Sequence, residues 1–168
     1  NYGERDVANM KHKILIENEK QANLIVAKVM RITLLIFTFI YILNLIGVFV
    51  VNIKIMTIAY VGSAVLLLLP TLFVNMCKQN NSHIKYLNVI VAVVFTTLLS
   101  ITLTYHVVVN YVYPIAIASL YFSKKLNILS TGLTVAGVSV AQLAAYYLDT
   151  LQDDNFLTLD YVLLFGIL

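Results

Sequence analysis

The sequence predicts an all-α, polytopic membrane helix bundle with five complete spans and the start of a sixth, preceded by an amphipathic cytoplasmic helix. Three observations predict it. Of 168 residues, 61% are apolar and only 11% are charged, whereas a water-soluble domain is roughly 45–50% apolar and about 25% charged. The charged residues leave four uncharged tracts, Ile32–Ile53, Ile55–Cys77, Tyr86–Ser123 and Leu126–Leu148, and each is long enough for a spanning helix of about 20 residues. The third tract is long enough for two. Finally, with the N-terminus in the cytoplasm and alternating sides, every base except Lys54 falls inside. That is the asymmetry expected of a multi-pass protein in a cell membrane. It requires tract 86–123 to be split into two spans, because one span would carry Lys124 and Lys125 outside.

The elements follow in order. Residues 1–31 form a polar, helix-favouring lead-in with a single glycine and no proline. Leu15, Ala22 and Val29 recur at seven, and so do Asn18, Ile25 and Ile32, which makes a short a/d-like seam. Two uses fit it: a helix lying on the membrane surface or a seam between two copies. The first span covers 32–51 and ends at a tight turn around Asn52 and Lys54. The second covers 55–74, and Pro70 marks a kink or last turn, because proline has no backbone donor. "CKQNNSHIK" is a polar connector. Spans at 87–105 and 107–122 follow, and the "TYHVVVNYVYP" stretch between them turns on the outer face. The fifth span covers 126–148. After the acidic connector "DTLQDDNFLTLD" comes the apolar run 161–168, read as a sixth helix cut short. The chain is therefore expected to be a fragment whose continuation emerges in the cytoplasm. The lone Cys77 excludes an internal disulfide, and no cleavable signal peptide is expected at the charged N-terminus.

The uncharged tracts also bear on chemistry. Proton relays, ion pathways and coupled transporters place ionisable groups within the membrane, and none of the tracts holds an acid, lysine or arginine. His12, His83 and His106 lack the spacing that sets metal ligands on one helix face, so no metal and no cofactor is expected. Gly62-Ser63 is a fragment of a serine-nucleophile turn without its second glycine; a Ser63–His106 dyad is outweighed by helix contact through small residues. The module is read as non-enzymatic, with no nucleic-acid partner. Its +3 net charge serves orientation.

Two features remain as sites. In the fifth span Gly132 and Ala136, and Gly137, Ala141 and Ala145, are four apart, a spacing that lets helix backbones approach closely. At the outer end of the bundle Tyr105, His106, Asn110 and Tyr113 are expected to gather beside Gln142 and Tyr146. That group would form a shallow pocket for a small neutral or aromatic ligand, with His106 able to titrate near neutral pH. The competing reading of the tyrosines is an interfacial belt, where the ring is buried and the hydroxyl meets water.

The stretches "LLSITLTYHVVVNYVYPIAIASLYFSKKLNILS" and "VSVAQLAAYYLDT", with the basic lead-in, resemble the N-terminal membrane modules of bacterial signalling proteins: sensor histidine kinases, diguanylate cyclases and SpoIIE-type serine/threonine phosphatases of clostridia-like bacteria. The resemblance covers roughly Lys20 to Leu168. It implies a membrane sensor or anchor that forms a homodimer and relays a signal to a cytoplasmic output. The alternative is a small-solute transporter or the substrate-binding membrane subunit of one. A lipid-modifying membrane enzyme stands behind both.

Overall fold

The computed structural model describes residues 2–48, 52–76, 83–103 and 110–148. Five helices lie among them: α1 (Tyr2–Leu45), α2 (Ile53–Met76), α3 (Ile84–Leu103), α4 (Val112–Ser119) and α5 (Lys124–Leu148). Four are long and apolar enough to cross a membrane, over Lys13–Leu45, Ile53–Met76, Ile84–Thr102 and Lys124–Ala144. The chain is a helical membrane module, and its exposed apolar side chains, such as Leu35, Phe39, Ile58 and Val65, are those a lipid-embedded bundle turns outward.

The span count differs from the expected five plus a sixth. α4 has 8 residues, about 12 Å at 1.5 Å per residue, against a hydrocarbon core of about 30 Å. Pro114 sets its start. Inside a helix a proline forfeits a backbone bond and its ring crowds the carbonyl four residues earlier, here that of Asn110, a cost that α2 bears at Pro70. Pro114 sits instead in the first turn of α4, where its missing N–H costs no helix bond. The start of the expected fourth span, 107–109, and the expected sixth helix at 161–168 lie outside the described residues.

The first helix also departs from the expected layout. α1 is continuous for 44 residues, about 66 Å, and crosses position 31 without a break. Its end is set by Gly47 at φ +85°. Val48 N–H reaches Leu43 O (3.0 Å) and Gly47 N–H reaches Asn44 O (3.1 Å), the paired bonds of a glycine-terminated helix. Asn52 then caps α2, its Oδ1 accepting from Lys54 N–H at 3.0 Å.

α3 is the hub, packed against α2, α4 and α5 and more lightly against α1. Two glycines admit its neighbours. A Cβ at Gly62 of α2 would stand 2.7 Å from Leu98 Cδ2, and one at Gly137 of α5 would stand 2.5 Å from Thr97 Oγ1 and 3.3 Å from Val93 Cγ1. The core between the helices holds Val26, Met30, Met56, Leu67, Val89, Ile117 and Leu126.

α5 runs parallel to α3. Gly137 lies against Val93 and Thr97, while Tyr121, three residues before α5 begins, bonds to Asn88 near the start of α3. α4 lies between these two helices in the chain, and Tyr121 just after it stands at the end of the bundle where α3 begins. Lys85, Lys124 and Lys125 gather at one end of the bundle with Glu19, and Lys54 sits at the other.

Hydroxyl pairs fasten α1 to its neighbours within the apolar zone. Thr38 Oγ1 donates to Leu34 O (2.8 Å) and Thr57 Oγ1 to Ile53 O (2.7 Å). Each threonine proton is thereby used, so Tyr60 OH donates to Thr38 (3.1 Å) and Tyr41 OH to Thr57 (3.1 Å). The two tyrosine rings stack at 4.5 Å, 3° from parallel. Hydrogen bonds between membrane helices are each worth about 0.6 kcal/mol, rarely above about 1.7. Tyr60→Phe keeps the stack and is expected to lose about 0.6–1 kcal/mol, read from denaturant unfolding in detergent.

Candidate functional site

The polar side chains of a membrane bundle carry its specific chemistry, since an unpaired polar group there costs far more than in water. Their densest buried cluster lies at the basic end. Asn23 of α1, Asn88 of α3 and Tyr121 of the α4–α5 turn are 5%, 0% and 8% exposed, so all three bond only with one another or with neighbouring protein.

The helices bring them together by register. Asn23 shares the inward face of α1 with Ala22, Val26, Ala27 and Met30, all buried. Asn88 stands one turn into α3, on the side that carries Ala92, Phe95 and Leu99. Tyr121 follows the last turn of α4, where its N–H bonds to Ala118 O at 3.2 Å. Asn88 Nδ2 donates to Asn23 Oδ1 at 3.3 Å and to Tyr121 OH at 2.8 Å. Tyr121 OH donates to Asn23 Oδ1 at 2.7 Å. Three segments far apart in sequence are tied in one triangle. Asn88 Oδ1 is buried without a partner, which leaves the triangle one bond short of saturation.

One turn outward, Lys85 forms an ion pair with Glu19 and its ammonium lies 5.6 Å from the centre of the Tyr86 ring. Both side chains are partly shielded, at 13% and 31% exposure, so the pair outranks an open surface contact, worth at most about 1 kcal/mol. It closes the triangle on the side of the lysine-rich end.

Tyr121 lies outside the four spans. Burial pushes its phenol up to about 12 from 10.0, against the Asn88 bond, which favours the phenolate, and Glu19 adds to the rise. The folded state therefore favours the neutral phenol. Its contribution to stability is complete below pH 10 and is lost as pH rises from the unfolded to the folded value. Alkaline unfolding is expected between about pH 10 and pH 12, with a smaller pH slope in Tyr121→Phe, measured by circular dichroism in detergent.

The described residues cover only part of the group expected at the outer pocket. Tyr105 and His106 lie outside the described residues. Asn110 is exposed just before α4, and Gln142 is exposed on α5. Tyr113 turns inward: its hydroxyl meets Thr33 Oγ1 at 3.1 Å and its ring meets Phe95 edge-on at 5.8 Å. Tyr146 belongs to α5, and its side chain is outside the description. Of the small residues, Gly137 and Ala141 are buried, Gly132 and Ala136 are exposed, and the Ala145 side chain is not described. Ser63 is fully buried and its Oγ has no partner. Among the described residues no three His, Cys, Asp or Glu side chains stand close enough to hold a metal.

Sequence reasoning passes over the triangle. A scan of the tracts for charge alone ignores amides and a phenol. The available signal is Asn88 itself, an amide inside "YLNVIVAVV", since a polar side chain in an apolar span needs a partner on another helix.

No family model, curated protein or solved structure shows a significant match to this chain. What stands is a helical, multi-pass membrane module with a buried polar triangle joining α1, α3 and the α4–α5 turn.

Proposed function

We propose that the chain is a membrane-embedded sensory and anchoring module, bacterial and non-catalytic, that relays changes in helix packing to a cytoplasmic output and works as a homodimer. The observation that carries this reading is the continuity of α1. Its outer half is fastened to α2 by the Tyr–Thr pairs and its middle to α3 and the α4–α5 turn by the triangle. Before Glu19, Met10, Ile14 and Leu15 are 65%, 55% and 60% exposed. A rigid helix of this length turns a small rotation among α3–α5 into a displacement of its free end. A signal acts on such a device only if it binds one packing state more tightly than the other. The basic end faces the cytoplasm in this reading, consistent with the placement of lysines.

The test uses spin labels at Met10→Cys and Lys125→Cys in a Cys77→Ser background, with the protein in bilayers of two acyl-chain lengths. Thickness is a signal that any spanning bundle must answer. A relay is expected to shift the label separation between the two bilayers. An identical distance distribution in both, together with flux of small solutes through proteoliposomes, would favour the transporter reading instead.

A further inference from the structure

The turn between α4 and α5 exposes a large aromatic side chain in a costly backbone conformation. Phe122 has φ 50°, a left-handed geometry that bulky residues rarely adopt, and it is 92% exposed. The residue before it is fixed in the buried triangle, and Ser123 Oγ accepts from Leu126 N–H at 3.4 Å on the other side. The turn is thus held rigidly while its phenyl ring projects away from the protein.

The surroundings of that ring identify its partner. Lys124 and Lys125 follow after Ser123 and are both exposed, and among the described residues neither joins an ion pair. Of the acids near this end, Glu19 is engaged by Lys85 and Glu17 is exposed on α1. The spans of α3 and α5 begin at Ile84 and Lys124, at the same end of the bundle, so the turn stands where the hydrocarbon gives way to headgroups. An aromatic ring beside two uncompensated lysines at that depth complements an anionic phospholipid: ring among the upper acyl chains, ammonium groups on phosphate.

We propose that Phe122, Lys124 and Lys125 form a contact site for anionic phospholipid headgroups, held in place by the Tyr121 anchor. The site does not depend on whether the module signals. It also gives the strained phenylalanine a role, since glycine would relax the turn but would have no ring to insert.

The chain contains no tryptophan, so Phe122→Trp is a unique fluorescent reporter. The variant is reconstituted in phosphatidylcholine vesicles containing trace brominated phosphatidylcholine or brominated phosphatidylglycerol at equal mole fraction. Emission from the introduced indole is expected to be quenched by both, and several-fold more strongly by the anionic lipid. Adding Lys124→Gln and Lys125→Gln is expected to bring the two quenching constants together, and Lys124→Arg with Lys125→Arg to preserve the preference. Emission untouched by either brominated lipid, or equal quenching by both with the lysines intact, would overturn the site. So would a preference that survives the double glutamine variant.

Discussion

Replacing Asn88 with leucine is expected to destabilise the bundle by about 2 kcal/mol in detergent unfolding. Leucine keeps the branching and heavy-atom count of asparagine and leaves no cavity, so the loss reports the missing hydrogen bonds together with the crowding of two methyl groups. The substitution removes both bonds donated by Asn88 Nδ2. It leaves Asn23 Oδ1 with Tyr121 as its remaining donor from the triangle, and removes the donor facing the Tyr121 oxygen. Stranding buried groups costs about 1–3 kcal/mol. Two effects pull the figure toward the middle of that range. Bonds between membrane helices are individually modest, and the substitution also removes Asn88 Oδ1, which is buried unpaired in the wild type. Tyr121→Phe removes one hydroxyl and keeps the ring, so about 1 kcal/mol is expected. The double variant should cost less than the sum, because the two residues share a bond. Strict additivity would mean that the triangle does not act as a unit.

Gly137→Leu is expected to cost about 3 kcal/mol or to separate α5 from α3. Even a methyl group would stand 2.5 Å from Thr97 Oγ1 and 3.3 Å from Val93 Cγ1. Both neighbours are β-branched and stiff about their first side-chain torsion, so the strain cannot be relieved by swinging a flexible end aside. Overpacking of this kind typically costs about 1–3 kcal/mol, and leucine exceeds the space by much more than alanine does. Gly132 provides the control on the same helix, because nothing lies within 4 Å of a Cβ there. Gly132→Ala is expected to be neutral or to gain up to about 1 kcal/mol of helix propensity. At Gly62 the clash is with Leu98 Cδ2, the far end of a flexible side chain, so Gly62→Ala should cost less than Gly137→Ala. Equal effects at 132 and 137 would mean that the α3–α5 approach is not close.

Much of the fold was legible because a bilayer demands length and apolarity. The uncharged tracts at 55–77 and 126–148 became α2 and α5 with ends displaced by only a few residues, and the charge asymmetry required the return between α3 and α5. Tract length alone reads 107–122 as one span, because it counts apolar residues without asking whether one helix can contain them; the α-helix among the described residues there is the 8-residue α4. Pro114 carried a signal, since its ring fits the first turn of a helix, where α4 places it, at no cost in backbone bonds. At 31/32 polarity changes but helical period does not, and α1 continues through it. The seven-residue seam was divided in the same way. Ala22 and Val29 pack within the bundle while Ile25 and Ile32 stay exposed, since one helix face can serve two surroundings. The triangle depends on which faces of α1 and α3 meet across sequence separations of 65 and 98 residues, and spacing along one chain does not encode that.

The most direct test of the coupling between α1 and the rest of the bundle is the label pair at positions 10 and 125, measured by double electron–electron resonance in one bilayer composition, in the wild-type background and with Asn88→Leu. If the triangle fixes α1 against α3 and the α4–α5 turn, the wild-type background gives a narrow distance distribution and Asn88→Leu a broader or displaced one. An unchanged distribution in Asn88→Leu would show that the packing of α1 does not depend on the triangle, and the relay would lose its mechanical basis.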